Sequence, residues 1–322
     1  MSTVPNARSR ENMSLLHEIL VTVKNVCVAY FVSFYRFFIP RSPKSVVGDI
    51  VLITGSGSGM GRQLAVEFAK RGAAIVLWDI DKERNNESLT IIEDIGGTAH
   101  SFIVDVSDRE AVYRTGERVR QEVGDVTILI NNAGVVTGKS LLESPDNMIE
   151  RTFDVNLLAH FWTVKCFLPA MLRKNHGHVV NIASSVGLIG VNKLTDYSAS
   201  KFGVVGFTEV LNYEIVFAGY DQVHTTVVCP SYTKTGMFEG CEMRSYPIFE
   251  HHRFPAVIPP LETRATVEKI IQGILTNQHQ ICIPRLVYII AVLKTMLPTD
   301  AMVEIVKFFG ADKFMDTYTG RK

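Results

Sequence analysis

The sequence predicts an α/β fold: a doubly wound parallel sheet that forms a single catalytic domain over residues 46–280. From residue 48 onward, short apolar runs recur whose apolarity is continuous rather than alternating, which is typical of strands buried on both faces. Longer amphipathic segments separate the runs, as helical crossovers between parallel strands require. In chain order the predicted strands are DIVLITG, AAIVLWD, SFIVDV, VTILINNAG, GHVVNIAS and HTTVVCP.

The N-terminal segment, residues 1–45, is predicted to be a membrane anchor followed by a linker. From Ile19 to Tyr35 the chain is mostly apolar and carries a single charge, Lys24. As a helix this stretch would be about 25 Å long, marginal against a hydrocarbon core of about 30 Å. It lacks the cleavage site of a secretory signal, so we expect it to be retained. Basic residues follow it and favour a cytosolic catalytic domain: Arg36, Arg41 and Lys44. A helix packed on the globular domain is the alternative.

Composition and charge exclude several classes of function. The 322 residues include 33 basic and 33 acidic side chains, so no overall charge favours nucleic acid as a partner. The cysteines are scattered, without CxxC pairs or histidines at metal-ligand spacing, which indicates reduced thiols and no metal site. His251 and His252 lack a third ligand at suitable spacing and are interpreted as surface or loop histidines.

The first strand is followed by a glycine-rich loop, TGSGSGMG, from Thr54 to Gly61. Glycines let a backbone turn sharply and approach a pyrophosphate, and a helix N-terminus, predicted here near Arg62, attracts the phosphates. Asp79 ends the second strand, where a carboxylate accepts hydrogen bonds from the adenosine ribose. Ser58, Ile80 and Asp81 offer no arginine for a 2′-phosphate. The sequence therefore predicts a Rossmann fold that binds NAD in preference to NADP.

The segment TDYSASKFG places Tyr197 and Lys201 four residues apart on one predicted helical face. A neutral phenol is a poor base at neutral pH because its usual pKa is near 10. A nearby ammonium, together with a positive nicotinamide ring, stabilises the phenolate and lowers that pKa. We therefore expect Tyr197 to be the acid/base of the reaction and Lys201 to adjust its pKa.

The chain contains three motifs in this order: the loop at T-G-x-x-x-G-x-G spacing, NNAG at 131–134, and Y-x-x-x-K. With them it resembles the short-chain dehydrogenase/reductase family over residues 48–240. The chain also resembles the membrane-associated branch of this family, which contains retinol dehydrogenases and 17β-hydroxysteroid dehydrogenases. This further resemblance lies in the N-terminal anchor and in the segments VLWDI, TFDVN, FLPAML and KTGMFEGC. The family's Pro-Gly pair after the sixth strand is replaced by Pro230-Ser231, and this departure puts the local backbone path in doubt.

The resemblance implies a set of site residues. Ser184, three residues before Gly187, would hydrogen-bond the substrate oxygen, with Ser185 as the alternative, and Asn156 would be the fourth catalytic residue beside Tyr197 and Lys201. Lys201 would also hold the nicotinamide ribose. The cofactor-binding residues implied are Gly55, Ser58, Gly59, Met60, Gly61, Asp79, Asp105, Val106, Asn132, Ala133, Gly134, Tyr197, Lys201 and Thr235.

Two segments after the sixth strand are expected to contact apolar molecules, the first the substrate and the second the membrane. Residues 236–262 are rich in aromatic side chains and proline, and we expect a lid over an apolar, bulky substrate through Met237, Phe238, Tyr246, Phe249 and Phe254. Residues 281–322 contain a second apolar stretch, broken by Pro284, Arg285 and Lys294, that is interpreted as a membrane contact. A helix pair buried in a dimer is the competing interpretation.

Together these observations predict an NAD-dependent oxidoreductase that interconverts a lipophilic alcohol and its carbonyl. The resemblance favours all-trans-retinol oxidised to retinal. The alternatives are a 17β-hydroxysteroid dehydrogenase, an NADPH-dependent retinal reductase, or a non-catalytic coat protein of lipid droplets or endoplasmic reticulum. We expect a homodimer at the endoplasmic reticulum membrane or a lipid-droplet surface, with its catalytic domain in the cytosol.

Overall fold

The computed structural model describes residues 15–39, 41–241, 246–249, 252–254 and 260–320. By its contacts the chain divides into two units, Met1–Lys44 and Ser45–Lys322. The first unit contains one described helix, α1 (Leu15–Phe38). The second contains the sheet, the other described helices and every predicted site residue.

Helix α1 is longer than the sequence analysis predicts. It contains 24 residues, which corresponds to about 36 Å at the usual helical rise, enough to cross a hydrocarbon core of about 30 Å. Most of its described apolar side chains are exposed, among them Leu15, Tyr30 and Phe31. By length and composition, α1 is therefore a candidate membrane span.

A seven-stranded parallel sheet forms the centre of the second unit, in the order β3-β2-β1-β4-β5-β6-β9. The strands are β1 (Ile50–Thr54), β2 (Ala74–Asp79), β3 (Thr98–Ile103), β4 (Ile128–Asn131), β5 (Gly177–Ile182), β6 (Val223–Pro230) and β9 (Gln280–Ile283). The strand order reverses between β1 and β4, and ligands of such sheets bind at the carboxyl ends beside that reversal. The predicted doubly wound fold is confirmed.

Helices cover both faces of the sheet. One face packs on α2 (Gly59–Ala69), α3 (Lys82–Asp94) and α8 (Thr263–Leu275), and the other on α4 (Arg109–Glu122), α6 (Ala159–Lys174) and α7 (Thr195–Phe217). Successive side chains of β1 alternate between the faces: Val51 and Ile53 face α2, and Leu52 faces α6. Because both faces are buried, the strands are apolar throughout, as the sequence pattern indicated.

The seventh strand, β9, lies in a part of the chain that the sequence analysis divided at residue 280. Ile281, Cys282 and Ile283 pair in parallel with β6 and are buried. After the strand come α9 (Leu286–Met296) and α10 (Thr299–Phe308). The apolar stretch 281–298 is therefore a sheet strand followed by a helix. The signal for a strand was too short to separate from the helix that follows it.

The remaining elements complete the region around the carboxyl ends of the strands. Helix α5 (Asp146–Phe153) leads through a π-turn, Asp154–Leu158, directly into α6. An antiparallel hairpin, β7 (Tyr246–Phe249) and β8 (His252–Phe254), lies within the predicted lid. Ser231, which replaces the family's glycine, continues the pairing of β6, since its N–H donates to the Ile283 carbonyl oxygen at 2.7 Å.

Candidate active site

A cleft opens at the carboxyl ends of β1, β4, β5 and β6. Most of the predicted site residues line it: Gly55, Ser58, Gly59, Met60, Asp79, Asn132, Ala133, Gly134, Ser184, Tyr197, Lys201 and Thr235. Gly61, Asp105, Val106 and Asn156 lie outside its lining. The fold thus brings together segments that are far apart in the sequence, because parallel strands present all their carboxyl ends at one edge.

The glycine-rich loop is shaped by contacts that leave no room for side chains. Gly55 and Gly59 have φ values of 67° and 55°, which glycine adopts without the strain that a Cβ causes. A Cβ on Gly55 would lie 2.9 Å from the Ala133 Cα, and one on Gly61 would lie 2.7 Å from the Asn132 Nδ2. Gly61 is therefore a packing residue of the loop rather than a lining residue of the cleft.

Helix α2 begins at Gly59, earlier than the predicted start near Arg62. The Arg62 N–H already donates to the Ser58 carbonyl oxygen at 3.2 Å, which closes the first helical turn. The first N–H groups of any helix have no intrahelical acceptor, and Gly59 and Met60 line the cleft. This helix start fits the pyrophosphate of a dinucleotide.

Asn132 holds the loop against the end of β4. Its side-chain amide donates to the carbonyl oxygens of Thr54 and Gly55, at 2.9 and 3.2 Å. In return, the Thr54 hydroxyl oxygen accepts from the N–H groups of Asn132 and Ala133, at 2.9 and 3.0 Å. The NNAG segment therefore fixes the loop at the point where the strand order reverses.

Asp79 lies at the base of the loop with both carboxylate oxygens engaged. One accepts from the Gly57 N–H at 2.8 Å and the other from the Asp81 N–H at 2.9 Å. Each oxygen keeps a further lone pair for a ribose hydroxyl. Two arginines lie nearby that the sequence analysis did not consider as ligands of a 2′-phosphate. Arg62 binds Glu87 at 2.8 Å and the Gly57 carbonyl oxygen, and Arg84 pairs with Asp81 at 3.3 Å.

Asp105 and Val106 follow β3 and lie beside the cleft lining rather than in it. Asp105 accepts from the Ser107 N–H and hydroxyl at 3.0 and 2.7 Å, and it pairs with Arg151 at 3.0 Å. Burial raises the pKa of Asp105, but the hydrogen bonds from Ser107 and Arg151 outweigh burial, so that the net pKa is lowered. The Val106 side chain is buried.

Tyr197, Lys201 and Ser184 converge on the cleft. All three are at least nine-tenths buried, with exposed fractions of 4%, 3% and 9%. Lys201 Nζ lies 5.7 Å from the centre of the Tyr197 ring and donates to the Ile182 carbonyl oxygen at 2.8 Å. The Ser184 hydroxyl accepts from the Val186 N–H at 3.3 Å and donates to the Pro230 carbonyl oxygen at 3.4 Å. Ser185 also lines the cleft, but Ser184 is the serine that acts on the pKa of Tyr197.

Among the protein's own groups burial dominates the pKa of Tyr197, whereas the sequence analysis expected Lys201 and a nicotinamide ring together to lower it. Burial raises this pKa well above its ordinary value, and the hydrogen bond with Ser184 opposes burial only in part. Burial likewise lowers the pKa of Lys201 to about 8. Both shifts have one cause, since removal from water penalises the charged form of either group. Spacing alone could not reveal this burial.

Asn156 lies in the π-turn between α5 and α6. Its side chain accepts from the Val135 N–H at 2.8 Å and donates to the Val135 carbonyl oxygen at 2.9 Å. It also donates to the Ser200 hydroxyl at 3.2 Å, and that hydroxyl donates to the Tyr197 carbonyl oxygen at 2.7 Å. Asn156 thus joins the segment after NNAG to the helix that bears Tyr197 and Lys201.

Two further buried polar side chains lie in this region without having been singled out from the sequence. His160 is one helical turn beyond Asn156, and neither ring nitrogen has a hydrogen-bond partner among the described residues. Burial, assisted by the charge of Lys201, holds the pKa of His160 well below its usual range, so the ring is neutral. Asp196 accepts from the Thr152 hydroxyl at 3.0 Å.

The remainder of the cleft wall is apolar, and part of it comes from the C-terminal segment. Of the predicted lid residues, Met237 and Phe238 line the cleft. The side chains of Tyr246, Phe249 and Phe254, and residue His251, lie outside what the structure describes. Phe314, which the sequence analysis grouped with a membrane contact, lines the cleft and packs at 6.0 Å from the Phe238 ring.

The segment that bears Phe314 is tied to the cleft by polar contacts. Lys193 pairs with Asp316 at 2.6 Å, and the Thr319 N–H donates to the Glu239 carbonyl oxygen at 3.0 Å. These contacts join residues separated by many helices and strands, so no local pattern in the sequence could indicate them.

Comparison with known proteins shows which proteins this chain resembles in sequence. Residues 49–244 match the family model described as short chain dehydrogenase. A Mus musculus protein named epidermal retinol dehydrogenase 2 is 43% identical over 313 residues, which cover 97% of this chain and 98% of the relative. A Homo sapiens protein named retinol dehydrogenase 10 is 43% identical over 335 residues, with 96% of each chain covered.

A solved structure supports the same architecture. A short-chain dehydrogenase/reductase from Burkholderia phymatum in complex with NAD has a TM-score of 0.70 and 27% sequence identity to this chain. The match covers 78% of this chain and 94% of that structure. The similarity to the two curated relatives extends beyond the part that the family model matches, into both termini.

Proposed function

The chain belongs to the short-chain dehydrogenase family, and from this premise we propose that it oxidises all-trans-retinol to retinal with NAD as its cofactor. The observation that carries the proposal is the convergence of Tyr197, Lys201 and Ser184 on the cleft that the glycine-rich loop also lines. A dinucleotide seated on that loop would bring its nicotinamide toward these side chains. The names of the two curated relatives support retinol as the substrate.

Tyr197 and Ser184 act on the substrate hydroxyl. Ser184 hydrogen-bonds the substrate oxygen and holds it beside the Tyr197 hydroxyl, which the contact between the two side chains supports. Tyr197, as the phenolate, accepts the hydroxyl proton as the carbonyl forms, and in reduction it returns that proton. The cofactor, when bound, supplies at nicotinamide C4 the acceptor for the hydride that leaves the carbinol carbon.

Lys201 and Asn156 support this proton transfer. Lys201 places an ammonium near Tyr197, and its other neighbour is the Ile182 carbonyl oxygen at the end of β5. Asn156 acts through Ser200, whose hydroxyl holds the backbone turn that carries Tyr197. We assign Asn156 a positioning role, since both N–H donors of its side chain bind protein partners and its oxygen accepts from the Val135 N–H.

The rate should depend on pH differently in the two directions. Burial raises the pKa of Tyr197 above its ordinary value near 10, so the phenolate that oxidation requires becomes more abundant as pH increases, whereas the phenol that reduction requires stays predominant. We expect kcat/KM for oxidation to rise between about pH 6 and pH 10 and that for reduction to stay level. Steady-state kinetics in both directions would measure this, and two flat profiles would contradict Tyr197 as the acid/base.

The cofactor preference should depend on Asp79. Its carboxylate is placed to accept from ribose hydroxyls and would repel a 2′-phosphate, and the neighbouring Arg62 is already engaged by Glu87. We expect Asp79→Ser to weaken NAD binding by about tenfold or more, because hydrogen bonds to a charged group are lost. Binding titrations with NAD and NADP would measure the change.

The matched control for that titration is Asp81→Ser. Serine can still cap α3, as Asp81 does by accepting from the Arg84 N–H at 3.0 Å, so NAD binding should change little. A ratio of NAD to NADP affinity that is the same in Asp79→Ser and in the unaltered protein would contradict the ribose contact.

The location that we propose for the protein in the cell depends on the apolar helix α1. We propose that α1 attaches the protein to the endoplasmic reticulum membrane or a lipid droplet, because its length and composition suit a membrane span. The catalytic domain would lie in the cytosol, in keeping with the basic residues after α1.

We further propose a homodimer through an exposed apolar face of α6 and α7, formed by Phe161, Val210, Tyr213 and Phe217.

Turnover of candidate alcohols tests the proposal. Detergent-solubilised protein would be assayed with all-trans-retinol and with estradiol, each with NAD and with NADP. We expect oxidation of retinol with NAD. Preferred turnover of estradiol would assign the protein to 17β-hydroxysteroids, and preference for NADPH with retinal would favour a reductase. Absence of turnover with every pair would support the non-catalytic coat protein.

A further inference from the structure

A second cavity lies beside the catalytic cleft and shares part of its wall. Ser185, Val186, Ser231, Tyr232 and Phe314 line both. We call this cavity the antechamber. The rest of its lining is apolar and comes from the segment after β5 and from α9, α10 and the turn after α10, chiefly Ile189, Val287, Ile290, Met302, Ile305 and Phe309.

An outer groove between α9 and α10 continues from the antechamber. Ile290, Ile305 and Phe309 line both spaces. The outer groove is otherwise bounded by Leu286, by the exposed side chains of Ile289, Leu293 and Phe308, and by one charged residue, Glu304, which pairs with Lys307. The cleft, the antechamber and the outer groove therefore form a sequence of adjoining spaces that leads from an apolar surface to Tyr197.

Aromatic rings form the boundary between the antechamber and the cleft. The Tyr232 ring lies 5.3 Å from that of Phe314 and 6.1 Å from that of Phe238, and Phe238 in turn lies 5.7 Å from the Tyr197 ring. Such edge-to-face contacts present apolar ring surfaces on both sides. An apolar chain can pack against these rings while its hydroxyl extends toward Ser184 and Tyr197.

We propose that the hydrocarbon body of the substrate occupies the antechamber and that the substrate enters it from a phospholipid surface through the outer groove. The proposal rests on the proposed function, because it assumes a long apolar alcohol. Transfer of such a chain from lipid into an apolar cavity avoids exposing it to water, and exposed apolar rims are typical of membrane contacts. About half of the antechamber lining comes from the C-terminal part of the chain, beyond residues 49–244.

Filling the antechamber tests where the hydrocarbon lies. Met302 lines the antechamber, whereas Val303, its neighbour on α10, is exposed and lines none of the three spaces. Titration of the full-length protein, followed by retinol fluorescence, should show that Met302→Trp weakens retinol binding by about tenfold or more, since the added ring takes the volume of several methylene groups. Val303→Trp should bind retinol as the unaltered protein does. Equal affinity in both variants would overturn the proposal, whether or not retinol is turned over.

Kinetics with a truncated substrate separates this proposal from the proposed function. 3-Methylbut-2-en-1-ol carries the allylic alcohol of retinol without the hydrocarbon body. Met302→Trp should lower kcat/KM for retinol by about tenfold or more and leave that for the short alcohol unchanged. Loss of both activities to the same extent would contradict the antechamber. Absence of retinol turnover in the unaltered protein would instead contradict the proposed function.

The entrance is tested by a matched pair on α9. Ile289 and Val292 are each 58% exposed, but only Ile289 lines the outer groove. With retinol supplied in phosphatidylcholine vesicles, Ile289→Glu should lower the oxidation rate by about tenfold, because it replaces apolar surface that the hydrocarbon contacts on entry by a hydrated carboxylate. Val292→Glu should keep the rate, and both variants should oxidise the water-soluble alcohol normally. An equal effect of the two substitutions on retinol would overturn the outer groove as the entrance.

Discussion

Replacing Tyr197 by Phe should lower kcat/KM for alcohol oxidation by about a thousandfold, because general acid/base catalysis contributes on that order. The substitution removes only the hydroxyl. The ring would keep its edge contact with Phe238 at 5.7 Å and its place in the buried cluster with Leu194 and Phe314. Folding and NAD binding should therefore change little, and steady-state kinetics with a parallel NAD titration would measure both.

The two neighbouring serines provide the control for this experiment. Ser184→Ala should lower kcat/KM by about a hundredfold or more, since it removes a hydrogen bond that strengthens as charge develops on the substrate oxygen. Ser185→Ala should have a much smaller effect, because the contact with Tyr197 belongs to Ser184. The reverse order of effects would assign the role to Ser185. Near-normal activity of Tyr197→Phe would remove the acid/base assignment altogether.

Replacing Lys201 by Met should abolish most of the activity and yet stabilise the protein at pH 7. Lys201 is only 3% exposed, and burial lowers its pKa to about 8 from an ordinary value of 10.5. At pH 7 the side chain is charged in both the folded and the unfolded protein, and the folded state carries the cost of a buried charge. That cost is on the order of 3 kcal/mol in the free energy of unfolding.

The sign of the pH dependence distinguishes this explanation from a general packing effect. Between about pH 8 and the ordinary pKa, the unfolded state binds a proton on Lys201 that the folded state has lost, so the stability of the unaltered protein rises with pH in that window. The advantage of Lys201→Met should therefore be largest below pH 8 and shrink toward pH 10. Thermal unfolding of both proteins at pH 7 and near pH 10 measures this. A stability difference of constant size at both pH values would contradict a buried ammonium.

The fold and most of the cofactor site could be predicted from the sequence because both depend on local signals. A glycine-rich loop between an apolar strand and a helix, followed by Asp79 at the next strand end, indicates a dinucleotide site without knowledge of the rest of the chain. Parallel strands then bring NNAG, Ser184 and the helix with Tyr197 to the same edge. Ser184 and Ser185 precede Tyr197 by 13 and 12 residues, so spacing alone could not decide between them.

What could not be predicted depends on long-range packing. The burial of Tyr197 and Lys201 sets the direction of their pKa shifts, and burial is a property of the folded domain. The strand β9 is only four residues long and adjoins an apolar helix, so its pairing with β6 has no separate signature. Phe314 reaches the cleft through contacts with residues far earlier in the chain, such as Tyr232 at 5.3 Å.

The C-terminal segment changes the interpretation of the substrate site. The sequence analysis assigned bulky-substrate recognition to the lid at residues 236–262 and membrane contact to residues 281–322. In the structure, Met237 and Phe238 of the lid and Phe314 of the C-terminal segment line one cleft. A preference for a long apolar alcohol therefore depends on both segments, and substitutions in α10 should affect specificity as strongly as those in the lid.

The most direct test of the central claim follows the transferred hydride. The unaltered protein would be incubated with NAD and all-trans-retinol that carries two deuterium atoms on its carbinol carbon, and the reduced nucleotide would be analysed by mass spectrometry. We predict that one deuterium appears in the reduced nucleotide as retinal forms, and that Tyr197→Phe yields almost none in the same time. Retinal formed without deuterium in the nucleotide, or equal labelling by the two proteins, would contradict the account.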